Sequence, residues 1–313
     1  MSERTDRIPD GGPGGRPEGR VPPVRWESWN PVTGCTKVSE GCRHCYAERF
    51  AERWRGIPGH YYEHGFELQL RPERLELPLH WRQPRRVFVD SMSDLFHGRI
   101  PDHYVRQVFA VMERTPQHVF HVLTKRPKRL LDLAPALPWP PNVWMGVTVE
   151  RMDYAARADA LRRVPAAVRH ISAEPLLGPH DALDLTDIDL VVAGGESGAE
   201  RRPAEPDWLR GLRDRCAAAG VAFTFKGWGG RGQRDGGRLL DGREWSQSPT
   251  IAVVPGAGDT ASPAQEAIFL TPPGDALPAP PTRPGFAGRW AGRPSAGQVQ
   301  AETAEGAGYG RPG

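Results

Sequence analysis

Residues 86–124 read RVFVDSMSDLFHGRIPDHYVRQVFAVMERTPQHVFHVLT and hold one complete strand–helix–strand repeat. Two β-branched runs, 86–90 and 119–124, bracket a stripe of Tyr104, Val105, Val108, Phe109 and Met112 at the three- and four-residue spacing of an amphipathic helix. Pro101 stands ahead of that stripe, where a residue without an N–H can begin a helix because the first turn has no acceptor for it. Both strand runs pass directly into polar residues: Asp90-Ser91-Met92-Ser93-Asp94 after the first, Thr124-Lys125-Arg126 at the second.

Outward from this repeat the alternation continues. Further strands are expected at 24–29, 143–149, 168–173, 190–193 and 221–225. Tyr46, Phe50 and Trp54 recur every fourth residue, and Trp208, Leu209, Leu212 and Cys216 run up to Gly220, a residue suited to a helix C-terminal stop. Near-continuous apolar strands alternating with helices imply a parallel sheet covered by helices. The strand ends then choose between a closed and an open sheet. Thr148 and Glu150, Glu174, Gly194-Gly195-Glu196 and Lys226 follow the later strands. In a barrel such residues converge on the C-terminal rim, whereas an open sheet strings them along a line. The expected fold is therefore α/β, a full or partial parallel (β/α) barrel of the TIM type. Residues 60–81 read as an insertion or a long connection between the first helix and the second strand.

The chain has 313 residues, and its ends inflate the 36 Gly and 33 Pro. Residues 1–20 and 247–313 lack apolar periodicity and cannot bury enough surface to offset chain entropy, so disordered tails are expected around one domain at 21–246. A formal net charge of +3 does not by itself argue for nucleic acid. No apolar run approaches the ~18 residues of a membrane span, and the N-terminus is polar where a signal peptide needs an apolar stretch. A cytoplasmic protein without membrane partners is the expectation. In a reducing compartment four cysteines do not read as a disulfide framework, and three of them fall within eleven residues.

Those three lie in NPVTGCTKVSEGCRHCYA, residues 30–47, as Cys35, Cys42 and Cys45 with six and then two residues between them. The segment joins the first strand to the first helix, which places the thiols on the barrel rim near a helix N-terminus, a position expected to depress their pKa. Three thiolates on a [4Fe-4S] cluster leave one iron open to a small chelator, and S-adenosylmethionine offers an amino and a carboxylate group for that position. Zinc is the alternative, with His44 or another histidine as fourth ligand, although His44 sits between the paired cysteines and is poorly placed to share their metal. Cys216, on an apolar helix face flanked by alanines, reads as a buried small hydrophobe. Lys125, Arg126, Lys128 and Arg129 form a basic knot whose functional reading is an anionic substrate, a nucleotide or nucleic acid; two of the four are expected on a solvated helix face. Glu196, in its glycine-rich turn, and Lys226 are further candidates for the mouth.

The blocks WNPVTGC, GCRHCYAERFAERW, FVDSMSDLFH, VFHVLTKRP, PNVWMGVTVE, ISAEPLLGP, VVAGGESG and FKGWGG, in that order, resemble the phage Gp37/Gp68 family, also called the three-Cys-motif family or domain of unknown function 5131. The resemblance implies a barrel of the radical S-adenosylmethionine type, related to spore photoproduct lyase-like proteins of phages and bacteria. It also implies a three-Cys-motif partner protein. The usual radical motif has three residues in the first gap and an aromatic before the last cysteine, where this chain has six and His44. By the same resemblance Asp90, Ser91, Ser93 and Asp94 stand where related enzymes hold the methionyl amine of the cofactor. Thr148, Glu150 and Glu174 are candidates for the adenosyl moiety, the alternative being an ion pair with a nearby arginine such as Arg151. Such an enzyme draws electrons from a donor such as flavodoxin or ferredoxin. Against it stands a zinc-stabilised nucleic-acid-binding or partner-binding protein without catalysis.

Overall fold

The computed structural model describes residues 24–231 and 236–249. Among these, seven strands form one sheet: β1 (Arg25–Trp29), β2 (Arg85–Val89), β3 (Val119–Thr124), β4 (Val143–Thr148), β5 (Val168–Ala173), β6 (Leu190–Ala193) and β7 (Ala222–Phe225). Strand order follows chain order, and every neighbouring pair is parallel. Right-handed twist accumulating in one winding direction curls the sheet into a half-barrel, with β1 and β7 at its edges. Each expected run carries a strand whose ends move by at most one residue. The expected tail at 1–20 and the part of 247–313 beyond residue 249 lie outside the described residues.

The longer helices are α1 (Tyr46–Glu52), α2 (Asp102–Glu113), α3 (Pro127–Leu133), α4 (Ala156–Arg162) and α5 (Pro206–Ala219). One face of the sheet packs against α2 to α5, while α1 packs with Tyr62 and Met92 in a separate cluster. Val87, Val89, Phe120, Val122, Met145 and Ile171 share a continuous core with Val105, Val108, Phe109 and Met112 of α2 and with Leu209, Leu212 and Cys216 of α5. Alternate residues of the same strands turn to the concave face, because successive side chains of a strand point in opposite directions. There Val119, Trp144, Val168 and Leu190 form a separate floor. The buried rings of His121 and His170 come next along their strands, with centroids 5.9 Å apart. A Cβ at Gly146 would lie 2.2 Å from the His170 ring, so glycine is what lets that histidine fit.

Residues 60–81 are more than a connection. Gln69–Leu70 pairs antiparallel with Val32–Thr33, and the short helix Pro72–Leu75 follows. This segment buttresses the start of the cysteine loop: Cys35 N–H donates to the Phe66 carbonyl at 3.3 Å. The α1 stripe also differs from expectation, since the helix ends at Glu52 and Trp54 packs from the turn beyond it, stacked on His60.

Candidate functional site

Because the strands are parallel, the residues that follow them gather at one rim, and there a cavity of ≈ 210 Å³ opens. Cys35, Cys42 and Cys45 all line it. Gly34 sets the first cysteine in place: it adopts φ +80°, and a Cβ would fall 2.1 Å from the Glu67 carbonyl oxygen. Its N–H donates to the Met92 carbonyl at 2.9 Å, and Ser93 Oγ donates back to the Gly34 carbonyl at 2.5 Å. Cys42 ends a single 3-10 turn, and Cys45 immediately precedes α1.

The expectation of depressed thiol pKa values is overturned for two of the three. Burial, reinforced by the Asp94 carboxylate, pushes the Cys35 thiol up to about 11 even though Arg126 pulls it down. Burial also raises Cys45, and the α1 backbone N–H groups of Glu48 and Ala47 offset only part of that. Cys216 is fully buried in the main core and lines no part of the cavity, as expected of it.

Three rim residues, each from a different βα connection, hold the six-residue spacer between Cys35 and Cys42 and the His44 beyond it. Arg126, after β3, donates to both the carbonyl and Oγ1 of Thr36 at 3.0 Å. Glu150, after β4 and fully buried, accepts from Ser39 Oγ at 2.5 Å and from Arg157 at 2.7 Å. Gly41 passes so close to it that a Cβ would lie 2.4 Å from Glu150 Oε1. Glu196, after β6, pairs with His44 Nδ1 at 3.1 Å and with Arg202. Burial opposes the Glu196 charge, but hydrogen bonds from Arg202 and His44 hold its carboxyl below the usual range. Arg151, offered by the sequence as an ion-pair partner for this region, reaches Glu40 and Asp153 instead; Arg157 takes the Glu150 role.

The remaining candidates divide into committed and available groups. Ser93 is bonded to Gly34, and Ser91 Oγ donates to Asn30 Oδ1 at 3.2 Å. Asp94 accepts from Phe96 N–H, Thr124 Oγ1 and Lys125 N–H, which makes it a brace for the connections after β2 and β3. Asp90 is different. It adopts φ +56°, is 4% exposed, and spends Oδ1 on the Val32 N–H, while Oδ2 has no hydrogen-bond partner among the described residues. Burial raises its carboxyl well above the usual range. Thr148 Oγ1 accepts from Lys125 Nζ at 3.2 Å, and Glu174 pairs with Lys226 at 2.7 Å; all four line the cavity. Of the basic knot, Lys125 lines the cavity and Arg126 turns onto the cysteine loop, whereas Lys128 and Arg129 pair with Asp132 and Asp102. Asn30, His97, Arg157 and Arg202 hold the site without having been singled out in the sequence; Arg157 and Arg202 carry no local motif that could have flagged them.

Among the described residues no three His, Cys, Asp or Glu side chains converge as ligands of a single metal ion. Three thiols face one cavity, a donor set that suits an iron–sulfur cluster or a zinc ion, and His44 meets Glu196 through Nδ1. Asp90 Oδ2 is a buried acceptor at the same cavity that a cationic group would satisfy.

The sheet, its rim and this loop define a parallel α/β half-barrel protein with a three-cysteine cavity at its C-terminal mouth. Residues 24–249 match the family model described as a protein of unknown function, DUF5131, and since that is most of the chain the protein belongs to this family. No curated protein and no solved structure matches it. Among the described residues no helix is long and apolar enough to cross a membrane.

Proposed function

We propose that this protein is a radical S-adenosylmethionine enzyme, holding a [4Fe-4S] cluster through Cys35, Cys42 and Cys45 and S-adenosylmethionine beside it. The observation that carries the reading is the meeting, in one rim cavity, of three cysteines with Asp90, whose buried Oδ2 has no hydrogen-bond partner among the described residues. When bound, the two cofactors together supply one-electron cleavage of a sulfonium carbon–sulfur bond. The chain's own residues bind and orient. Asp90 Oδ2 accepts from an ammonium, and Thr148 and the Glu174–Lys226 pair offer hydrogen bonds to a sugar. Lys125, with its ammonium at the mouth, takes an anionic substrate group such as a nucleotide or nucleic-acid phosphate. A flavodoxin or ferredoxin supplies the electron, and a three-Cys-motif protein is the proposed partner.

Anaerobic purification followed by iron, acid-labile sulfide and zinc analysis tests the reading, together with 5′-deoxyadenosine release on dithionite reduction. Replacing any one of Cys35, Cys42 or Cys45 by Ala is expected to abolish chromophore and cleavage, while Cys216→Ala keeps both. Stoichiometric zinc without sulfide would instead make this a zinc-stabilised binding protein.

A further inference from the structure

Arg126 belongs to the basic knot that the sequence offers for an anionic substrate, yet it is not among the residues lining the rim cavity, and one of its terminal nitrogens is engaged inside the protein. Its side chain is 16% exposed and turns back onto the cysteine loop. One terminal nitrogen donates to the carbonyl and to Oγ1 of Thr36, and the same nitrogen lies 3.6 Å from Cys35 Sγ. His97 Nε2 meets Thr36 Oγ1 at 3.0 Å, so this corner is held from two sides. Behind the guanidinium, Nε lies 3.6 Å from the Asp94 carboxylate. That carboxylate is itself pinned by Thr124 Oγ1 at 2.8 Å, Phe96 N–H at 3.0 Å and Lys125 N–H at 3.1 Å. The result is a fixed line of opposite charges, carboxylate to guanidinium to sulfur.

A cation that donates to a ligating sulfur stabilises the more negative oxidation state of whatever that sulfur holds, and a neighbouring carboxylate does the reverse. The Arg126 and Asp94 side chains are 16% and 10% exposed, so solvent screens this pair less than it screens charges on the open surface. We propose that Arg126, oriented by Asp94, is a positioning residue that raises the reduction potential of the cysteine-bound cluster, and that it does not grip substrate. The inference rests on the iron–sulfur reading of the same loop. What separates it from mere scaffolding is its sign. Arg126→Gln removes positive charge beside Cys35 and moves the midpoint to a more negative value. Asp94→Asn removes the opposing charge and moves it to a less negative one. Arg126→Lys keeps the charge but loses the planar fork, and its midpoint falls between wild type and Arg126→Gln.

Mediated redox titration of the anaerobically reconstituted full chain, followed by EPR, reads these shifts, with iron and sulfide measured for each variant. Opposite shifts for Arg126→Gln and Asp94→Asn support the inference. Cluster-bearing variants whose midpoints stay at the wild-type value, or move in the same direction, overturn it while leaving the iron–sulfur reading intact. A wild-type chain without iron and sulfide defeats that reading itself. If Arg126→Gln or Asp94→Asn fails to hold a cluster or to fold, Arg126→Lys decides: a midpoint below wild type supports the inference, and one at or above wild type overturns it.

Discussion

Gly41 owes its size to a carboxylate on the connection after β4, for a Cβ there would lie 2.4 Å from Glu150 Oε1. Glu150 cannot give way, because Arg157 and Ser39 hold both its oxygens. Gly41→Ala is therefore expected to lift the spacer off the rim. Iron bound on reconstitution should fall by half or more, while the melting temperature moves by less than about 4 °C because the loop buries little apolar surface. Metal analysis beside calorimetry checks both halves; full iron content in this variant would show that the loop can seat its cysteines without Glu150. At this scale the cysteines were legible from spacing alone. Their braces were not, since Ser39 and Glu150 stand 111 residues apart and only folding brings them together.

Periodicity placed the strands and the α2 and α5 helices, and overran only the end of α1. The α2 stripe is buried as its spacing requires, and Phe109 meets Phe96 and Trp139 edge-on in the core. Phe109→Ala should cost about 3–5 kcal/mol, measured by urea unfolding. Gly220 gives a cleaner test of backbone strain: it sits at φ +69° after α5 with nothing within 4 Å of where a Cβ would go. Gly220→Ala should cost only about 1 kcal/mol, all of it from the left-handed conformation. A substantially larger loss would mean that the α5 end packs against something further. Periodicity had no purchase on residues 60–81, whose strand of two residues is too short to show alternation and exists only because Val32–Thr33 lies beside it.

For the whole molecule, buried histidines set the pH response. Burial lowers the pKa of His170 to about 4 and that of His121 well below its usual value, and it lowers His118 and His180 too. The unfolded chain then binds more protons than the native one between the folded values and about 6.5, so stability is full above that range and is lost as pH falls through it. His170 alone contributes about 3 kcal/mol. Asp90, whose carboxyl is raised, works in the opposite direction but is a single group. The melting temperature should fall steadily from pH 7 to pH 5; a flat profile would show the histidines to be hydrated. The end of the domain can be tested in the same way. Gln247 exchanges two hydrogen bonds with Phe223, and its carbonyl accepts from Thr224 Oγ1. A chain cut after residue 246, the boundary expected from composition, should therefore melt below one cut after residue 249.

Alone, the sequence determined the parallel α/β architecture, the helix faces and the three cysteines, because these depend on the spacing of neighbours along the chain. Only the tertiary structure decided that the barrel is a half-barrel and that Asp94 and Glu150 brace the rim. It alone turned Arg126 toward a cysteine, kept an Asp90 oxygen unpartnered among the described residues, and gave two thiols raised pKa values where a helix N-terminus had suggested lowered ones. The physical reason is the same in each case. Charge pairing and desolvation depend on distances between residues tens of positions apart, and those distances do not exist until the strands have curled and brought their ends to one rim.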